Sequence, residues 1–108
     1  MTYYSVIILP SAEREIGEAY RWLAEQNAEA ATRWYNQLVE VVLSLNVFPE
    51  RCPLAPESKF LNREIREIFH GRRQHKYRIL FVVVEKEVQV LHVRHGARRA
   101  LGETEISD

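Results

Sequence analysis

The spacing of apolar residues changes once along this chain, and that change limits the folds the chain can adopt. Between residues 11 and 46 apolar side chains recur at steps of three and four, which is typical of amphipathic helices. From Arg63 onward the step becomes two, as in strands with one buried face. The short β-branched run Tyr4–Leu9 indicates one more strand ahead of the helices. The pattern predicts an α+β fold of order β-α-α-β-β-β, with a helical hairpin packed on a mainly antiparallel four-stranded sheet.

Capping and turn residues predict where these elements begin and end. Ser11 is a suitable N-cap for the first helix and Asn27 for the second, which should end near Asn46. The segment Pro49–Pro56 holds three prolines in eight residues, so we expect an ordered surface loop there. In the last strand, strict alternation predicts one face with Val88, Val90, His92 and Arg94 and another with Gln89, Leu91, Val93 and His95.

The length and the residue content exclude several classes of protein. A chain of 108 residues has room for one core, so we expect a single domain over residues 1–108. One cysteine, Cys52, allows neither an internal disulfide nor a cysteine-rich zinc site, which fits a reducing compartment. No secretory signal and no apolar run long enough to cross a bilayer is visible. We therefore expect a cytoplasmic protein without membrane contacts, and the histidine spacings predict no metal or other cofactor.

The charges are distributed unevenly along the chain, although the formal net charge is zero. Residues 1–58 carry four basic and eight acidic side chains, a balance of −4. Residues 59–99 carry eleven basic and four acidic side chains, a balance of +7, and the last nine residues add three acids. This asymmetry indicates a basic patch for an anionic partner. The alternative is that arginine and lysine only solvate exposed strand faces.

Three segments in this order carry a resemblance to a known family: LPSAEREI, YRILFVVV and VLHVRHGARR. Together they resemble the RelE/ParE superfamily of toxins from type II toxin–antitoxin modules, also called plasmid stabilization proteins. The resemblance extends from Tyr4 to about Leu101. It implies a growth-inhibiting toxin that a cognate antitoxin holds silent in a hetero-oligomer. RelE-like members cut mRNA in the ribosomal A site, whereas ParE-like members poison DNA gyrase without cutting nucleic acid.

Cleavage of mRNA without a metal requires an acid or base and cationic groups that stabilise the charged phosphorane. If this chain is such a ribonuclease, His95 is the best general acid or base, because an imidazole titrates near neutral pH. His70 and His75 could supply the same chemistry from the turn between them. The cationic cluster would be Arg66, Arg78 and Arg98.

Two departures from the RelE-like pattern favour the ParE-like branch. The segment after Arg99, ALGETEISD, has no tyrosine and three acids, and the whole chain has only three lysines. A protein of zero net charge is also poorly suited to ribosomal RNA, because neutralising phosphates supplies much of the binding. We therefore predict inhibition of DNA gyrase, with mRNA cleavage as the alternative and an inactive homologue as a third possibility. The predicted target-binding residues are Arg72, Arg73, Lys76, Arg94, Arg98 and Arg99.

The antitoxin is expected at an edge strand or in a groove of the helical hairpin. Trp22 and Trp34 are candidate contacts, because at most one of them fits the core stripe of its helix. His92 shares a strand face with Val90 in the predicted sheet, which favours a hydrogen-bonded structural histidine. Cys52 has no histidine beside it in its loop, so we do not expect a nucleophile there.

Overall fold

The computed structural model describes residues 2–71 and 76–96. The predicted order of strands and helices is confirmed, and a short third helix is added. In chain order the elements are β1 Ser5–Ile8, α1 Pro10–Gln26, α2 Ala28–Leu43, α3 Ser58–Leu61, β2 Arg66–His70, β3 Tyr77–Val84 and β4 Glu87–His95. No helix within the described ranges is both long and apolar enough to span a membrane.

The four strands form one mixed sheet in the order β1-β4-β3-β2. The pairs β2–β3 and β3–β4 are antiparallel, whereas β1 runs parallel to β4. The first strand therefore pairs with the last, because the helical hairpin carries the chain across the sheet before β2 begins. The parallel pair makes the sheet mixed, within the mainly antiparallel arrangement that the sequence predicts.

The helix boundaries show one correct and one wrong capping prediction. The Asn27 side chain accepts a hydrogen bond of 3.0 Å from the backbone N–H of Ala30, and so caps α2 as predicted. Ser11 does not occupy the N-cap position, because α1 begins at Pro10 and its N-cap is Leu9, two residues before Ser11. Proline suits the first turn of a helix, since its fixed φ is helical and its missing N–H would have no partner there.

Both faces of the sheet are covered by protein. The main core lies between the helical hairpin and one face, and includes Ile16, Leu38, Val42, Ile79 and Phe81. A smaller core lies on the other face, where the segment from residue 53 to residue 65, here called the covering segment, crosses the sheet. The buried residues of this smaller core are Ala55, Ile65, Leu80, Val82 and Leu91. The central strand β3 is therefore buried on both sides, which explains why YRILFVVV is so apolar.

A β-bulge in β4 changes which residues share a face. Leu80 pairs with His92, whereas the next residue of β3, Phe81, pairs with Val90. Leu91 is therefore an extra residue without a partner of its own on β3.

The extra residue reverses the alternation in the second half of β4. Val93 lies in the main core together with Val90, three residues before it. Arg94 is the register partner of Arg78 and shares its face, away from the helices. The prediction that His92 and Arg94 share a face with Val90 by strict alternation is therefore wrong, because the bulge inserts one residue between them.

Candidate functional site

One end of the sheet gathers most of the predicted catalytic and target-binding residues that lie in the described part of the chain. His70, Tyr77 and His95 are register partners across β2, β3 and β4. The backbone N–H of Gly96 donates a hydrogen bond of 2.7 Å to the carbonyl of Lys76 and joins the two chain segments beyond these strands. We call this region, residues 69–71, 76–78 and 94–96, the basic end of the sheet. The predicted residues Arg72, Arg73, His75, Arg98 and Arg99 lie outside the described residues.

On the side facing the helices, the basic end is an aromatic cluster of four rings. The Tyr77 ring packs edge-on against Trp34 at a centroid distance of 5.1 Å and against His95 at 5.3 Å. The ring of His70 lies 6.1 Å from that of Trp34. These contacts fix the end of the sheet against α2, so both histidines have a packing role in the fold.

His70 is held in its neutral form by this environment. Its Nε2 atom lies 3.2 Å from the backbone carbonyl of Trp34. Since a carbonyl only accepts, Nε2 donates, which fixes the tautomer with the proton on that nitrogen. Burial lowers the pKa of His70, and the hydrogen bond to Trp34 opposes this effect only in part. The side chain therefore links β2 to α2 as an uncharged group at neutral pH.

Arg78 lies on the opposite side of β3, in a buried ion-pair triad with Glu57 and Glu67. Its Nη1 and Nη2 atoms donate to the two carboxylate oxygens of Glu57 at 3.0 and 2.7 Å. Its Nε atom donates to Glu67 at 2.9 Å. Burial by itself would lower the pKa of Arg78, but the hydrogen bonds to Glu57 and Glu67 outweigh it, so the pKa is raised. All three nitrogens of the guanidinium thus bind protein carboxylates and hold the covering segment to the sheet.

Arg66 is separated from Arg78 by the sheet itself. Arg66 is the register partner of Phe81 and therefore shares the face of the main core. Its Nη1 atom donates to the carbonyl of Cys52 at 2.7 Å, and its Nη2 atom pairs with Glu64 at 2.9 Å. The structure consequently does not bring the predicted ribonuclease arginines Arg66 and Arg78 together.

At the basic end, the face of the sheet that carries Arg78 also holds Phe69, Arg94 and Lys76. Phe69, Arg78 and Arg94 are neighbours across β2, β3 and β4 by register. Arg94 is buried, whereas Phe69 is 44% exposed. The Nζ atom of Lys76 lies 5.1 Å above the centre of the Phe69 ring. Sequence reasoning did not single out Phe69, and the available signal was a second large apolar residue directly after Ile68, on the opposite strand face.

His92 is tied to the first helix by a carboxylate. Its Nδ1 atom lies 3.1 and 3.2 Å from the two oxygens of Glu15, and the backbone N–H of Val93 donates to the same carboxylate at 2.9 Å. Since β1 ends at Ile8, Glu15 satisfies a backbone donor on the part of β4 that β1 no longer covers. This is the hydrogen-bonded arrangement predicted for His92.

The remaining candidates are placed as follows. No group of three or more His, Cys, Asp or Glu side chains within residues 2–71 and 76–96 could hold a metal ion. Cys52 is buried, and its burial raises the pKa of the thiol although Arg51 and Arg66 oppose this. A thiol in this state is a weak nucleophile at neutral pH.

A crevice of about 420 Å³ opens between the two long helices and the end of β1, and neither predicted antitoxin contact, Trp22 or Trp34, lines it. Its apolar lining includes Ile8, Ile16 and Leu38. Trp34 fits the core stripe of α2 and is buried, whereas Trp22 on α1 is 54% exposed. Of the two tryptophans, only Trp22 is therefore accessible to a partner.

Comparison with known proteins gives a family and a fold. The family model for the ParE toxin of type II toxin-antitoxin system, parDE, matches residues 6–100. Among solved structures, a chain from the chromosomal ParDE TA system from P. aeruginosa is similar, with a TM-score of 0.67 and 19% sequence identity. The match covers 86% of this chain and 96% of that chain. No curated protein matches the sequence.

Proposed function

Because the chain belongs to the ParE toxin family of type II toxin–antitoxin systems, we propose that it arrests growth by inhibiting DNA gyrase. We also propose that a cognate antitoxin holds it silent in a hetero-oligomeric complex in the cytoplasm. The similarity to a chain of a ParDE system supports the antitoxin as partner. Gyrase is the proposed target because the arrangement of basic residues suits binding better than phosphoryl chemistry.

The separation of Arg66 from Arg78 is the observation that carries this proposal. An enzyme that cuts RNA without a metal needs its cationic groups to converge on one phosphate. Here the two guanidiniums lie on opposite faces of the sheet, and each donates to protein oxygens. His95 packs against the ring of Tyr77 on the side of the helices, away from Arg78. This geometry supports an inhibitor that acts by binding its target.

The basic end supplies a surface for such binding. Lys76 is exposed there, and Arg72, Arg73, Arg98 and Arg99 are close to it or to Gly96 along the chain. A concentration of positive charge at one end of a protein of zero net charge steers association with an acidic partner. The proposed docking surface therefore includes Lys76 together with Arg72, Arg73, Arg98 and Arg99, whereas the predicted contact Arg94 is buried.

The proposal is tested by adding the purified toxin to DNA gyrase that supercoils relaxed plasmid, with and without its antitoxin. We expect the toxin to stop supercoiling and the antitoxin to restore it. A parallel ribosome assay should show no mRNA cleavage. Cleavage of mRNA with unimpaired supercoiling would replace this proposal with the ribonuclease alternative, and inactivity in both assays would indicate an inactive homologue.

A matched pair of variants tests whether the basic end is the docking surface. The double variant Arg98→Ala, Arg99→Ala should raise the toxin concentration for half-inhibition of gyrase at least tenfold. The control Arg14→Ala, Arg33→Ala removes two exposed charges from the helices and should stay within about twofold of the wild type. A folded Arg98→Ala, Arg99→Ala protein with full inhibition would remove these two arginines from the docking surface.

A further inference from the structure

Phe69 lies where the covering segment stops protecting the edge of β2. The covering segment pairs with β2 through Ala55 N–H to the carbonyl of Ile65 at 2.7 Å and Glu67 N–H to the carbonyl of Pro53 at 3.1 Å. Residues 65 and 67 therefore direct their backbone N–H and C=O groups away from β3. Because these directions alternate along a strand with a period of two, the backbone groups of Phe69 point the same way. The N–H and C=O of Phe69 thus face an edge of the sheet that no other strand among residues 2–71 and 76–96 covers.

The side chain of Phe69 adds an accessible aromatic surface at the same place. Phe69 is 44% exposed although it belongs to a strand of the sheet. Lys76 covers one face of the ring, with Nζ 5.1 Å from the ring centre, a cation–π contact that orders the lysine at the surface. An accessible aromatic ring next to a cation is typical of the residues that dominate binding at protein interfaces.

The charges near this point favour an acidic partner. Arg78, the register partner of Phe69, is already neutralised by Glu57 and Glu67. The charge of Lys76 is accessible to a partner, because its side chain is exposed and lies on the Phe69 ring at the edge of the sheet. The chain from residue 59 to residue 99 also carries a positive balance of eleven basic against four acidic side chains. A carboxylate brought to Lys76 would therefore meet a positive field.

We propose that Phe69 and Lys76 form the contact by which this toxin recognises an extended acidic segment of the gyrase protein. The segment bonds the open edge at Phe69 through its backbone, packs an apolar side chain on the ring and directs a carboxylate to Lys76. A peptide fits better than DNA, because a peptide strand matches both backbone groups of Phe69 and nucleic acid does not. This inference rests on the proposed function and adds the chemistry of the recognised partner.

The test measures binding of the toxin to gyrase subunits free of DNA, to duplex DNA alone, and inhibition of supercoiling. We expect the wild type to bind the subunits. Phe69→Ala and Lys76→Glu should each weaken that binding, and the inhibition, at least tenfold. The control Phe60→Ala removes another exposed phenylalanine, on α3, and should remain within about twofold of the wild type. Thermal melting verifies that each variant is folded, and Lys76→Glu decides the result if Phe69→Ala is not.

The other outcomes distinguish the inference from the proposed function. If the wild type inhibits gyrase and both variants bind and inhibit as well as it does, the inference is wrong and the proposed function stands. If the wild type binds duplex DNA but not the subunits, and the variants lose that binding, the partner is nucleic acid and the inference is overturned. A wild type that neither binds nor inhibits gyrase overturns both.

Discussion

Replacing Arg78 with methionine should destabilise this protein more than any loss of a surface charge. The substitution leaves the fully buried carboxylate of Glu57 and the mostly buried carboxylate of Glu67 without their cation. Removing one partner from a buried ion pair costs about 3–5 kcal/mol in the free energy of unfolding. Arg78 is only 8% exposed in its side chain, so solvent screens the interaction little.

The expected loss is large compared with the whole stability of a small domain, which is about 5–15 kcal/mol. For a chain of this length it corresponds to a fall in melting temperature of roughly 12–20 °C. Urea titration and thermal melting followed by circular dichroism measure both quantities. The loss should be smaller near pH 5 than at pH 7, because a buried carboxylate that has lost its arginine is stabilised by taking up a proton.

Two further variants make the reasoning testable. Arg14→Ala breaks an exposed pair with Glu18, in which both side chains are more than 60% exposed, and should cost less than about 1 kcal/mol. Adding Glu57→Gln to Arg78→Met removes the buried charge that Arg78 balanced and should recover about 2 kcal/mol. If Arg78→Met costs no more than Arg14→Ala, Arg78 does not hold the covering segment, and its availability to a target must be reconsidered.

Four other substitutions have defined outcomes. Gly96→Ala would place a Cβ atom 2.9 Å from the carbonyl oxygen of Lys76 and should destabilise the fold by about 1–3 kcal/mol. Gly17→Ala, inside a helix, should be neutral or stabilise the fold by up to about 1 kcal/mol. Thermal melting compares the two variants. The pKa of His70 is lowered in the fold, so the free energy of unfolding should fall as the pH drops below about 6.5, by at most about 1.4 kcal/mol per pH unit. In urea titrations, His70→Gln should flatten that dependence. Asn27→Ala removes the cap of α2 and should cost about 1 kcal/mol by the same method; no change would show that the cap is dispensable.

The spacing of apolar residues was sufficient to predict the order of the elements, because α1 and α2 each bury one apolar stripe and the strands β3 and β4 are rich in buried apolar residues. Asn27 was predictable as a cap since its role depends only on the next few residues. The covering segment was not predictable as a layer of the fold. Its prolines and irregular spacing gave no period, and its packing depends on contacts with β3 that are distant in sequence.

The candidate site was only partly predictable for a different reason. The sequence places Arg66 and Arg78 on strands that become neighbours, but the face of each depends on the register between the strands. A strand register is set by tertiary contacts, and here it pairs Arg66 with Phe81. The bulge at Leu91 was not predictable from the sequence either, because Leu91 and Val93 are both apolar and are compatible with either face.

The pairing of β1 with β4 has a consequence for synthesis of the protein. The helical hairpin can form early, because its contacts are local, but β1 has no neighbouring strand until Glu87–His95 has left the ribosome. A chain interrupted before β4 lacks both the partner of β1 and the central pairing of β3. The basic end also includes residues that follow Val93, so it is assembled last. The complete binding surface therefore forms only after translation has passed β4. Shortened products should be degraded as unfolded chains.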